Sequence, residues 1–193
     1  MANVFSDEER NNITEKFINL GFELLKQGGI KAVNIDILVS KCFVSKGTFY
    51  NIFKDKSDFI YSIICKKRMQ TKEKLNDYLS EDGQLSREGL FNYLKWMCDE
   101  DSNIFSYLNK QETRWLISKW PIEYLEDEDK DEKTASWIIA HIKKTKEVPN
   151  WQLFCNCLKL MAWTVNSKEF LIEEAYNQTI NMLINNACDC VCN

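Results

Sequence analysis

Apolar residues recur at helical spacing along almost the whole chain. Ile13, Phe17, Leu20 and Leu24 follow one another at three- and four-residue intervals, which draws a single stripe down one helix face. Ahead of them, Ser6-Asp7-Glu8-Glu9 has the form of a capping box: the Ser hydroxyl can accept from the Glu9 N–H while the Glu side chain reaches back. Gly28-Gly29 closes this helix, because glycine enters the left-handed region without a Cβ clash. Asn34 is placed to cap a second, short helix ending near Lys41, and Ser45 a third ending near Asn51. Asp55-Lys56-Ser57-Asp58 opens a fourth helix reaching to Ser80, with Ile60, Ile63, Ile64, Leu75 and Leu79 on its inner side. The two Asp residues suit the positive end of its dipole.

Glu81-Asp82-Gly83 breaks the pattern and marks a module boundary. Beyond it the periodicity predicts helices over 86–99, 103–118, 121–128, 132–145, 150–165 and 168–186. Pro121 fits a first helical position and Pro149 a separator. The run Glu126-Asp127-Glu128-Asp129-Lys130-Asp131-Glu132 repels itself, so a loop or frayed end is expected there. Strand signals are nearly absent, since Lys31-Ala32-Val33 is too short to count. The expected fold class is therefore all-α. Its N-terminal part would be a three-helix unit over residues 1–58, continued by a long linking helix over 56–80. Residues 59–193 would form a C-terminal helical domain.

Composition supports that picture and narrows it. With 193 residues, 45% hydrophobic and 12% aromatic, the chain can bury a core, which excludes wholesale disorder. Six Gly and two Pro leave few turns, which disfavours sandwiches and barrels. No uncharged apolar run of about 18 residues is present, so no membrane partner is expected. The N-terminal segment from Met1 to Arg10 turns acidic where an export signal would be apolar, and a cytoplasmic location is expected.

A net charge of -4 argues at first against a nucleic-acid partner. The charge is unevenly spread, however. Residues 1–80 carry 13 basic and 10 acidic side chains, whereas residues 81–193 carry 12 and 19. Between 41 and 74 stand Lys41, Lys46, Lys54, Lys56, Lys66, Lys67, Arg68, Lys72 and Lys74 against three acidic residues. A basic module joined to an acidic one is the arrangement expected when only the first meets phosphate.

The most informative stretch lies between Val33 and Phe59. Two short helices joined by Cys42-Phe43-Val44 make a helix-turn-helix, with Leu38, Val44 and Phe49 placed to pack the inner faces. The third helix then presents Ser45, Lys46, Thr48, Tyr50 and Asn51 outward, and Gly47 removes a side chain where a duplex would come closest. Lys56 falls at the start of the fourth helix, where backbone N–H groups already favour an anion.

The run Val44-Ser45-Lys46-Gly47-Thr48-Phe49-Tyr50, followed by Phe53 and Lys56 and preceded by Gly28-Gly29, resembles the DNA-binding signature of the tetracycline-repressor (TetR/AcrR) family. The resemblance covers about residues 8–64; the helical remainder fits the family's architecture without a motif of its own. It implies a dimeric, all-α transcription regulator, typically a repressor. Such a protein binds a palindromic double-stranded DNA operator and is released by a small-molecule effector in its C-terminal domain. Carried over by position, Lys46, Thr48, Tyr50 and Lys56 would contact the DNA backbone. Asn34 and Ser45 match helix-cap positions that also touch phosphate. Lys46 and Asn51 suit base edges, ammonium toward guanine and amide toward adenine. Two departures stand out: Phe43 where the family has Gly, and Val39 where it has Ala. Since Phe disfavours a positive φ, a slightly altered pose of the recognition helix is expected.

The chain beyond residue 80 holds six Trp, at 96, 115, 120, 137, 151 and 163. Most would fill a helical core. Trp96, Phe105, Tyr107, Trp115, Trp120, Trp137 and Trp163 form the pool from which an apolar effector cavity would be lined. The last two helices would pair with a second copy as a homodimer, as the resemblance implies. Eight Cys sit at 42, 65, 98, 155, 157, 188, 190 and 192. A reducing compartment makes a disulfide framework improbable, and Cys42, Cys65 and Cys98 are expected in the core. Cys188, Cys190 and Cys192, on a flexible terminal tail, offer an alternative reading as a metal- or redox-sensing cluster. A ligand-insensitive regulator or an activator of the same fold is the other alternative. With one His, no glycine-rich phosphate loop and no paired metal-ligand motif, neither an enzyme nor a cofactor or metal is expected.

Overall fold

Ser6 Oγ accepts from the Glu9 N–H at 3.2 Å and the Glu9 carboxylate accepts from the Ser6 N–H at 2.9 Å, so the capping box forms and starts the first helix. The structure is a computed structural model and describes residues 6–99, 108, 110–121 and 130–193. Phe105 and Tyr107, the helix expected over 121–128 and the first part of the acidic run lie outside the described residues. Among the described residues there is no strand, only isolated bridges of Leu85 with Ile142 and Thr145 with Cys192. Likewise, no described helix is long and apolar enough to cross a membrane.

The chain divides into two compact units: Met1–Met69 with Tyr107–Leu125, and Gln70–Ser106 with Glu126–Asn193. The first unit contains α1 (Asp7–Ala32), α2 (Ile35–Lys41), α3 (Lys46–Ile52), most of α4 (Lys56–Lys74) and α6 (Lys110–Lys119). Its core is aromatic. Phe49 meets Phe17 edge-on at 5.4 Å and Phe59 at 5.3 Å, and Phe53 lies 4.8 Å from Phe59. Leu25, Leu38, Ile60, Ile63 and Ile64 fill the space around these rings and are fully buried. Close approach of α1 and α4 requires Gly21, where a Cβ would sit 2.4 Å from the Phe59 ring.

α1 is broken at the glycine pair, as the sequence predicts, but helical hydrogen bonding resumes and carries on to Ala32. Gly29 takes φ 64°, ψ -156°, a conformation open in practice only to glycine. The reason lies far along the chain. A carboxylate oxygen of Glu112 on α6 accepts from the Ile30 N–H at 2.8 Å, and a Cβ on Gly29 would stand 2.6 Å from that oxygen.

The second unit contains α5 (Arg87–Met97), α7 (Lys130–Ile139), α8 (Trp151–Asn166) and α9 (Glu173–Val191). Leu75, Leu85, Leu90, Tyr93, Leu94, Ile138, Phe154 and Ile184 form its core. The fourth helix ends at Lys74 and is followed by a 3-10 turn over Leu75–Tyr78, so it does not reach Ser80 as one α-helix. The helix expected over 132–145 begins earlier and ends earlier. Lys130, Asp131 and Glu132 form its first turn, where acidic side chains suit the dipole. The chain after Ile139 instead pairs with Leu85, whose N–H donates to the His141 carbonyl at 2.6 Å.

The C-terminus corrects one expectation. α9 runs on to Val191, and Cys188, Cys190 and Cys192 are buried in the core of the second unit. They do not occupy a flexible tail. The reason is in the pattern itself: Ile180, Ile184, Ala187, Cys188 and Val191 continue the apolar stripe to the last turn. Burial pushes the Cys188 thiol up to about 12, which keeps it protonated and unreactive. Cys42, Cys65 and Cys98, expected in the core, are only half-buried.

Candidate nucleic-acid interface

α2 and α3 are each held at the N-terminal end by the residue the sequence nominates. Asn34 Oδ1 accepts from the Asp36 N–H at 2.8 Å, and Ser45 Oγ accepts from the Thr48 N–H at 3.2 Å. The turn between them is a Schellman motif. The Phe43 N–H donates to Ser40 O at 3.2 Å and the Val44 N–H to Val39 O at 3.0 Å. The position after the C-cap must be left-handed in this motif, and Phe43 takes it with φ 57°. The turn thus keeps the backbone that glycine would adopt, with a bulky side chain held in a conformation costing about 1–2 kcal/mol.

Phe49 anchors α3 from below and is fully buried. The opposite side of the helix carries Ser45, Lys46, Gly47, Tyr50 and Asn51, all exposed, while Thr48 is half-buried with its hydroxyl 3.1 Å from that of Ser45. Tyr50 leans edge-on against Phe49 at 5.4 Å, which leaves its phenol end outward. Asn34, at the start of α2, is exposed as well.

Two contacts that local pattern did not reveal fix this helix. The Arg10 guanidinium on α1 donates to the Asn51 carbonyl at 3.1 Å, tying the end of α3 to the first helix. Lys46 pairs with Asp36 on α2 at 2.6 Å, and that contact raises the ammonium above its ordinary range. Ten residues separate this pair, so no single helix face displays it.

Lys56 is half-buried at the start of α4, and burial lowers its ammonium, with Glu112 acting in the opposite sense. Asp55 caps the same helix. Its Oδ1 accepts from the Ser57 hydroxyl at 2.6 Å, the Ser57 N–H at 2.7 Å and the Asp58 N–H at 3.0 Å, and these hydrogen bonds, the hydroxyl's first, depress its carboxyl.

Several of the basic residues between 41 and 74 serve the fold. Lys66 pairs with Glu15 at 2.8 Å, the Lys67 ammonium stands 3.7 Å from the centre of the Phe22 ring, and Lys74 pairs with Asp77 at 2.5 Å.

The aromatic pool divides between the units. In the first, Trp115 is partly exposed, and the Trp120 indole N–H donates to the Ser57 carbonyl at 3.0 Å while its ring meets Tyr61. In the second, Trp96 stacks on Tyr93 and Trp137 lies against His141, both half-buried, whereas Trp163 is 74% exposed.

No protein-family model matches the sequence, and no curated protein is significantly similar to it. Solved structures do resemble it. A transcriptional regulator from Rhodococcus sp. Rha1 superposes with a TM-score of 0.65 at 13% identity, over 92% of this chain and 97% of that one. A TetR-family transcriptional regulator from Agrobacterium tumefaciens superposes with a TM-score of 0.62 at 10% identity, over 95% of this chain and 100% of the other. At such identities the likeness is one of fold.

Proposed function

We propose that this chain, which has the fold of TetR-type transcriptional regulators, is itself a sequence-specific DNA-binding regulator. In this reading it is a repressor rather than an enzyme, acts in the cytoplasm as a homodimer on a palindromic operator, and is released by a small hydrophobic effector. One observation carries the proposal. A short helix rigidly seated on Phe49 presents Ser45, Lys46, Gly47, Tyr50 and Asn51 outward with no apolar residue among them save the Tyr ring. Such a face suits a major groove, where hydroxyl, amide and ammonium groups find phosphate and base edges. Lys46, Thr48, Tyr50 and Lys56 take the backbone, supported by Asn34 and Ser45, while Lys46 and Asn51 also suit base edges. The burial of Cys188, Cys190 and Cys192 counts against the metal- or redox-sensing alternative.

The dimer would form through α8 and α9. Their outward surface carries Leu160, Trp163 and Met182, with Phe170 and Ile172 between the helices; Phe170 and Ile172 are 75% and 73% exposed. A monomer has no reason to leave that much apolar surface in water. Effector binding would fall to the second unit, where Trp96 and Trp137 are half-buried.

The test is enrichment of a pool of short random-core duplexes on the intact protein, followed by titration across salt. A palindromic consensus with a steep salt dependence is expected. Tyr50→Phe should then weaken binding to all duplexes alike, and Lys56→Gln should reduce the salt slope by about one. Failure to enrich any sequence would sink the proposal.

A further inference from the structure

Among the described residues of the first unit, the most exposed large apolar side chain is that of Phe43, in the turn of the helix-turn-helix, at 95%. Its backbone is left-handed, which glycine would adopt without strain. Among the described residues its ring joins none of the aromatic pairs that build the unit around Phe17, Phe49, Phe53 and Phe59. The side chain therefore weakens the turn and returns nothing to the folded monomer. The chain around it is rich in lysine, one of which, Lys46, is paired with Asp36 at 2.6 Å. From Ile37 through Lys54 the chain contains no carboxylate, while Lys41 and Lys46 flank the ring within three residues on either side. Both lysines are exposed.

We propose that Phe43 is a DNA-contact residue whose ring packs on the deoxyribose edge of the backbone where the chain enters α3. The inference rests on the DNA-binding reading above and deepens it. If α3 lies in the major groove, the turn that leads into it passes over the groove rim, where sugars alternate with phosphates. Lysines suit the phosphates. An aromatic ring suits the apolar sugar face between them, and burying it there recovers the hydrophobic surface the monomer leaves in water. Backbone packing carries no base preference, so Phe43 contributes affinity and orientation while Asn51 retains the reading of sequence.

The experiment compares the intact wild-type protein with Phe43→Gly and Phe43→Tyr, using the best duplex enriched on the wild type and a scrambled duplex of equal length. Phe43→Gly should fold with a melting temperature unchanged or raised by up to about 4 °C, since the strained conformation is relieved. The same variant should bind both duplexes about five- to tenfold more weakly, with the slope against salt unchanged because no ion pair is lost. Phe43→Tyr, which keeps the ring, should bind as the wild type does. Equal binding by wild type and Phe43→Gly would overturn the inference while leaving the DNA-binding reading intact. A loss confined to one base position of the enriched duplex would also overturn it, by assigning Phe43 to base reading. Failure of the wild type to enrich any duplex would instead overturn the reading on which it rests.

Discussion

At the residue scale, the helix-turn-helix is governed by a few side chains with opposed duties. Lys46 is the clearest case. Its ammonium is carried on the exposed face of α3 yet sits 2.6 Å from the Asp36 carboxylate on α2. On the proposed DNA-binding reading, a phosphate or guanine would have to displace Asp36, whose carboxylate would also repel the duplex. Asp36→Asn should therefore tighten binding to the enriched duplex severalfold at low salt and steepen the salt slope by about one. An exposed ion pair contributes little to folding, so the melting temperature should move by less than about 2 °C. A titration in which Asp36→Asn binds no better than wild type would show that Lys46 does not meet the duplex. The capping roles of Ser6, Asn34 and Ser45 were legible in the sequence because a cap bonds an N–H two or three residues away. The Lys46–Asp36 pair was not, because it joins two helices.

At the scale of the element, α1 and α6 illustrate how a local signal acquires its meaning from a distant partner. Gly28-Gly29 reads as a helix ending from sequence, and the break is there. Only the fold reveals why the second glycine cannot change: Glu112 occupies the space of its Cβ and bonds the next N–H. Gly29→Ala should lose about 2–4 kcal/mol through a disfavoured φ and a displaced carboxylate. Gly28→Ala is the control. Its φ of -175° suits any residue and its new methyl would meet only the Ala32 Cβ at 3.3 Å, so a loss below about 1 kcal/mol is expected. Chemical denaturation of both variants measures the difference, and equal losses would refute the role assigned to Glu112. The end of α9 makes the complementary point. Three cysteines spaced by one residue resemble a chemical motif, yet they are the apolar stripe of a helix continued to its last turn.

At the scale of the whole molecule, the net charge of -4 conceals a basic region around the helix-turn-helix, and part of even that basic charge is spent on Glu15, Asp77 and the Phe22 ring. A single recognition helix discriminates poorly, whereas two spaced by about 34–36 Å read a palindrome. The exposed Trp163 and Ile172 provide the handle for testing this. The wild type should sediment as a dimer at micromolar concentration. The double variant Trp163→Glu, Ile172→Glu should sediment as a folded monomer and lose preference for the palindrome over a single half-site. A wild-type monomer would exclude the dimer.

The all-α class, the helix-turn-helix and its caps were legible from residue order. These depend on periodicity and on hydrogen bonds spanning a few residues, which are written in adjacent positions. Tertiary structure alone decided the rest. It placed α6 in one unit with the helix-turn-helix, set Glu112 against Gly29, tied Arg10 to the Asn51 carbonyl and buried the terminal thiols. It also settled Phe43. Sequence could say that phenylalanine disfavours a left-handed turn; the two Schellman hydrogen bonds hold it there nonetheless. Contacts between residues far apart in the chain leave no local pattern, because their strength comes from a geometry that exists only after folding.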